Sequence, residues 1–117
     1  MTEQFEVVIA PSFQAEIDSI KDKKQLELIL KSIEKIKRMG KNCLKMLHVR
    51  NQYLLCEIKF KRPPYRLYVI TNQEDGKFYI VRWAHKDDQE KVINEIKIKL
   101  ENVFKMGIKN LSELFKR

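Results

Sequence analysis

Hydrophobic positions along the chain switch between a period of two and a period near 3.6, and the switches mark its elements. Residues 5–10 (F-E-V-V-I-A) are short, β-branched and stopped by Pro11, which predicts a strand. Phe13, Ile17 and Ile20 then recur at helical spacing, giving a short helix over 12–20. The polar run from Lys21 to Lys24 breaks that pattern. Leu26, Ile29, Leu30, Ile33 and Ile36 form the apolar stripe of a second helix, with Lys31, Lys35 and Lys37 on its wet side and Gly40 as its C-cap. Two antiparallel helices joined by a polar turn make a hairpin whose stripe must be covered by something.

The period of two returns at 53–60. Leu54, Cys56, Ile58 and Phe60 offer an apolar face for the hairpin, while Tyr53, Leu55, Glu57 and Lys59 alternate with them and gain charge along the strand. Lys61-Arg62-Pro63-Pro64 cannot continue a ladder and forms a connection. Residues 65–71 are the next strand, N-Q-E-D-G at 72–76 is a hairpin turn, and 77–83 is the last strand. Lys45 to Lys86 therefore reads as three successive strands. Asp87 and Asp88 suit a helix N-terminus, and Val92, Ile93, Ile96, Leu100, Val103 and Phe104 supply the stripe of a long helix. Gly107 ends or bends it, and Ile108, Leu111, Leu114 and Phe115 keep helical spacing in an amphipathic extension. The order β-α-α-β-β-β-α predicts an α+β fold: a three-stranded antiparallel core, the N-terminal strand at one edge, the helical hairpin on one face and a C-terminal helix. Residues 1–106 form the domain and 107–117 a helical extension.

Composition changes this picture in one respect. A length of 117 residues suits one domain, and 44% hydrophobic with 34% charged residues excludes a disordered chain. The net charge of +8 points to a polyanionic partner, whether nucleic acid, an acidic protein or an anionic surface; a merely lysine-rich composition is the bland alternative. The excess is uneven: residues 45–66 carry six Lys and Arg against the single Glu57, whereas residues 1–44 carry eight against seven. Acids are missing from that stretch, as a phosphate-binding surface requires, because a nearby carboxylate cancels the field. Cys43 and Cys56 lack a metal-binding spacing, and Cys56 falls on an apolar strand face as a buried thiol. No apolar run approaches the ~20 residues that span a bilayer, and no signal peptide is evident, so a cytoplasmic protein with reduced thiols is expected.

The element order, with L-C-E-I-K-F at 55–60, Y-R-L-Y-V-I at 65–70 and A-H-K-D-D at 84–88, resembles the RelE/ParE superfamily of toxins from type II toxin–antitoxin systems. The resemblance runs from about Phe5 to Phe104. It implies a basic toxin without a metal or other cofactor, neutralised by an acidic antitoxin and either cleaving mRNA on the ribosome or inhibiting DNA gyrase. By position, Lys59 matches a basic residue beneath the scissile phosphate, Arg66 the arginine that contacts it, and Lys86 the basic residue that acts as acid or charge stabiliser. His85 matches a histidine frequent in the group. Two departures stand out: Glu57 sits where nuclease members often carry a second basic residue, and Glu90 and Val92 occupy the region where they often carry a tyrosine.

Cleavage of RNA without a metal needs a proton acceptor for the 2′-hydroxyl, cations for the phosphate and an acid for the departing 5′-oxygen. Lys59 and Arg66 supply cations, with Arg66 able to bind in a bidentate manner. His85 and Glu57 are the candidate bases. The expected catalytic set is thus Lys59, Arg66, His85, Lys86 and Glu57. Lys45, His48, Arg50, Lys61, Arg62 and Arg82 are further expected RNA contacts, with Lys61 and Arg62 extending along the backbone, and Tyr65, Tyr68 and Tyr53 are rings on which bases could stack. The clustered cations favour an mRNA endoribonuclease; the missing tyrosine favours a toxin of the same fold acting on gyrase, and a plain RNA-binding domain is a third reading.

Overall fold

The structure, a computed structural model, describes residues 4–106 and the side chains of residues 4–102. The extension expected over 107–117 lies outside the described residues, as do the side chains of Val103 and Phe104. The chain runs β1 (Val7–Ile9), α1 (Pro11–Ser19), α2 (Lys23–Met39), β2 (Lys45–Arg50), β3 (Tyr53–Lys59), β4 (Tyr65–Asn72), β5 (Lys77–His85) and α3 (Gln89–Met106). The five strands form one mixed sheet in the order β1-β5-β4-β3-β2. β1 pairs parallel with β5, and the other neighbours are antiparallel. The fold is α+β, with three α-helices and one sheet among the described residues.

The sheet has one strand more than the hydrophobic pattern predicts. The pattern assigns no strand to residues 45–52; residues 45–50 form β2 and pair with β3, making four antiparallel strands rather than three. Its register slips between Met46 and His48, so its side chains do not keep a clean alternation. The turn that follows is compact: Arg50 pairs with Tyr53, and Asn51 takes φ 54°. Asn tolerates that left-handed conformation better than most residues, which makes Asn51-Gln52 a two-residue hairpin connection.

The helices begin and end for local reasons. Pro11 opens α1, where its missing N–H costs nothing. Asp22 caps α2 by accepting the Lys24 N–H at 2.9 Å. Gly40 terminates α2 at φ 57°, ψ −133°, and its N–H donates to the Ile36 carbonyl. A Cβ there would lie 2.9 Å from the Phe5 ring, so only glycine fits both the backbone and the neighbour.

The two sheet faces are both covered, but unequally. On one face, Trp83 donates from Nε1 to Gln25 of α2 at 2.9 Å, and Tyr65 stacks on Trp83 with centroids 5.0 Å apart. This is the face of the helical hairpin, whose Phe13, Ile29 and Ile36 are buried against it. The opposite face carries Leu55, Tyr68, Ile70 and Tyr79, and α3 lies across it. Val92, Ile96 and Leu100 of α3 are buried in the same core. Arg50 pins the far end of the helix to Glu101 at 2.5 Å, and Arg82 its near end to Glu95 at 2.8 Å. The expectation of an open, charged sheet face therefore needs correcting: most of that face is the floor of α3. Among the described residues, the end where β3 runs out and β4 begins stays uncovered.

Candidate anion-binding cleft

That uncovered end is where the cations gather. Lys59 pairs with Arg66 across β3 and β4, and Arg66 with Ala84 across β4 and β5, so the two basic side chains stand side by side on one face. Lys61, Phe60 and Pro64 belong to the connection between the strands. Lys86 arrives from beyond the end of β5, its N–H held 2.9 Å from the Pro64 carbonyl. Lys59, Phe60, Lys61, Pro64, Arg66 and Lys86 line a cleft of about 380 Å³. Four cations face one space, and no carboxylate among the described residues lines it.

The connection is built to hold this shape. Phe60 N–H donates to Tyr65 O, and Tyr65 N–H to Pro63 O, both at 2.9 Å. Arg66 is fixed by its Nη1, which donates to the Tyr65 carbonyl at 3.2 Å and the Phe60 carbonyl at 3.4 Å. Among the described residues, none of the four cations forms an ion pair; the paired basic groups lie elsewhere. Four unneutralised cations around a small space repel one another, and an anion bound between them removes that repulsion. A wider depression along the start of α3 mixes Lys86 and Lys97 with Asp87 and Glu90, and so lacks a field of one sign.

The remaining sequence candidates are placed differently. His85 pairs with Tyr65 on the hairpin face, opposite to Lys59 and Arg66. Its Nδ1 accepts the Asp87 N–H at 3.1 Å, and its ring meets the edge of Tyr65 at 5.4 Å. It does not line the cleft. Glu57 is 1% exposed, with both carboxyl oxygens shielded from solvent and without a hydrogen-bond partner. Neither expected base reaches the space where a phosphate would sit. The physical reason is strand alternation for His85 and the passage of α3 over the sheet for Glu57.

Tyr68, expected as a stacking ring, is completely buried beneath α3, and burial followed by the neighbouring Glu57 pushes its phenol up to about 12. Tyr65 spends its face on Trp83. Arg50 and Arg82, expected to contact RNA, are engaged with α3. Arg82 Nε also lies 3.1 Å from Glu16 Oε1 of α1. Burial raises the Glu16 carboxyl above its ordinary value of 4.5, with the Arg82 charge opposing the shift. Lys45 is exposed beside Glu57 across β2 and β3, His48 is half-buried opposite Leu55, and Arg62 is exposed outside the cleft lining. Phe60 and Pro64 were not singled out from the sequence; the Pro-Pro connection marked their position but not the wall they make.

Cys56 is buried, and burial pushes its thiol up to about 11, as suits a structural cysteine rather than a nucleophile. No helix among the described residues is long and apolar enough to cross a membrane. Compared with known proteins, the chain matches no family model and no curated protein.

Proposed function

We propose that the protein is a toxin of the RelE/ParE type whose cleft grips the phosphate backbone of mRNA and promotes its cleavage on the ribosome, halting translation. The observation that carries this reading is the gathering of Lys59, Lys61, Arg66 and Lys86 around one space that no carboxylate among the described residues lines. In it, the 2′-oxygen attacks the phosphate as its proton passes to water, Arg66 and Lys59 hold the charge that builds there, and the bond to the 5′-oxygen breaks to leave a 2′,3′-cyclic phosphate, with the Lys86 ammonium giving the departing oxygen its proton. The neutralising partner is an acidic antitoxin, for which a chain of net charge +8 is complementary.

A second reading is favoured by one specific observation. His85 and Glu57 both lie outside the cleft lining, leaving it rich in anion-binding groups and poor in proton acceptors. A toxin of the same fold that binds without cutting, acting on gyrase, fits that arrangement. Controlled expression of the chain alone separates the two. The nuclease reading expects growth arrest with new mRNA 5′ ends inside translated codons. Growth arrest with intact messages and accumulating gyrase–DNA breaks establishes the second, and unimpeded growth at high expression refutes both.

A further inference from the structure

Lys86 lines two spaces: the cleft, and the wider depression of about 540 Å³ along the first turns of α3. Glu90, Ile93 and Lys97 all line that depression. Their spacings of three and four residues put them on one helical face, beside the buried stripe of Val92, Ile96 and Leu100. Ile93 is half-buried against the core and offers an apolar floor. Glu90 is exposed and Lys97 half-buried. Among the described residues, no hydrogen bond or ion pair occupies either of these two side chains.

The mixed charge of the depression disfavours a phosphate, because Asp87 and Glu90 repel it. It suits the edge of a nucleobase, where donors and acceptors stand side by side on a flat apolar ring. Guanine fits this pattern best. Its N1–H and N2 amino group point the same way and can both donate to one carboxylate, while its O6 and N7 accept from a cation at the other edge. Adenine, cytosine and uracil lack the paired donors. The span agrees as well. Seven residues of helix separate Glu90 from Lys97 by about 10.5 Å along the axis. A purine ~5 Å across, with a hydrogen bond of about 2.9 Å at each edge, needs about as much.

We propose that the depression is a guanine subsite: Glu90 accepts from N1–H and the N2 amino group, Lys97 donates to the O6 and N7 edge, and Ile93 lies under the ring. Lys86, shared by both spaces, sets that base beside the phosphate in the cleft. The proposal rests on the reading of the cleft as an RNA backbone site, and deepens it by naming the base next to the gripped phosphate.

The test is fluorescence anisotropy on the full chain with labelled heptauridylates whose central base is guanine, hypoxanthine, adenine or uracil. All carry 2′-O-methyl sugars, which block the attacking oxygen. Hypoxanthine is guanine without the N2 amino group, so replacing guanine by it should weaken wild-type binding about tenfold, as the loss of one hydrogen bond to a charged group does. In Glu90→Ala that ratio should fall to near one. The ratio is the readout because removing an acid beside Lys86 strengthens the binding of every oligomer. Equal binding of guanine and hypoxanthine by the wild type, or a guanine preference that survives Glu90→Ala, overturns the proposal. Lys97→Gln gives a second check, independent of how Glu90→Ala folds: it should lose preference for guanine over adenine, which carries a donor in place of O6, and a full preference overturns the proposal too. Arg66→Gln separates the subsite from the cleft, since it should weaken all four oligomers alike and leave the guanine ratio standing. An unchanged affinity in Arg66→Gln with that ratio intact refutes the cleft as a phosphate site but not the subsite, and no binding of any oligomer refutes both.

Discussion

Removing one charge from the cleft should change how RNA binding responds to salt, by an amount set by the number of cations present. Lys59, Lys61, Arg66 and Lys86 give four sites at which phosphate can displace counterions. For single-stranded nucleic acid the slope of log K against log salt is about −0.7 per neutralised phosphate, so four contacts predict roughly −2.8. Raising salt from about 50 to 200 mM should then weaken binding roughly 50-fold. Arg66→Gln removes one contact, lowering the slope to roughly −2.1 and the same salt effect to roughly 20-fold. Fluorescence anisotropy of a labelled oligouridylate at four or five salt concentrations measures both, with Lys31→Gln on the exposed side of α2 as the control. A wild-type slope near zero, or an Arg66→Gln slope equal to that of the wild type, refutes the cleft as a phosphate site. A Lys31→Gln slope that falls as far as that of Arg66→Gln also refutes it, because the field would then belong to the whole surface. Melting temperatures accompany the titrations, because Arg66 also ties two carbonyls of the connection.

Two further outcomes concern the scaffold. Leu100 is fully buried between α3 and the sheet, so Leu100→Ala should cost about 2–5 kcal/mol in urea denaturation; a loss under about 1 kcal/mol would mean that α3 does not cover that face. Glu16 has its folded-state carboxyl raised above 4.5, so the folded chain holds that proton more tightly than the unfolded chain does. Wild-type stability from this group is therefore lost as pH rises past the unfolded value, and Glu16→Gln should gain on the wild type from acid pH towards neutrality. A stability difference between the two that stays constant with pH would contradict this sign.

Much of the architecture was legible because hydrophobic periodicity reports burial directly. The stripe from Leu26 to Ile36, the alternation from Tyr53 to Lys59 and the Asp75-Gly76 turn each named an element that forms where expected. β2 escaped because its slip between Met46 and His48 scrambles the period of two, and only Asn51-Gln52 hinted at the hairpin. The cation set was legible in part: a stretch poor in acids contained Lys59, Lys61 and Arg66, and Lys86 was reached by resemblance.

Which of the basic and aromatic residues share a space was decided by tertiary structure alone. Strand pairing set Lys59 beside Arg66, and the return of the chain after β5 brought Lys86 to them. The pleat sent His85 to the other face. The path of α3 buried Tyr68 and Glu57 and drew Arg50 and Arg82 into ion pairs. Sequence spacing fixes which side of its own strand a residue occupies; it carries no information about which helix will later lie across that side. A run of basic residues that looked like one continuous surface is thus divided by a single helix into a buried floor and a small open cleft.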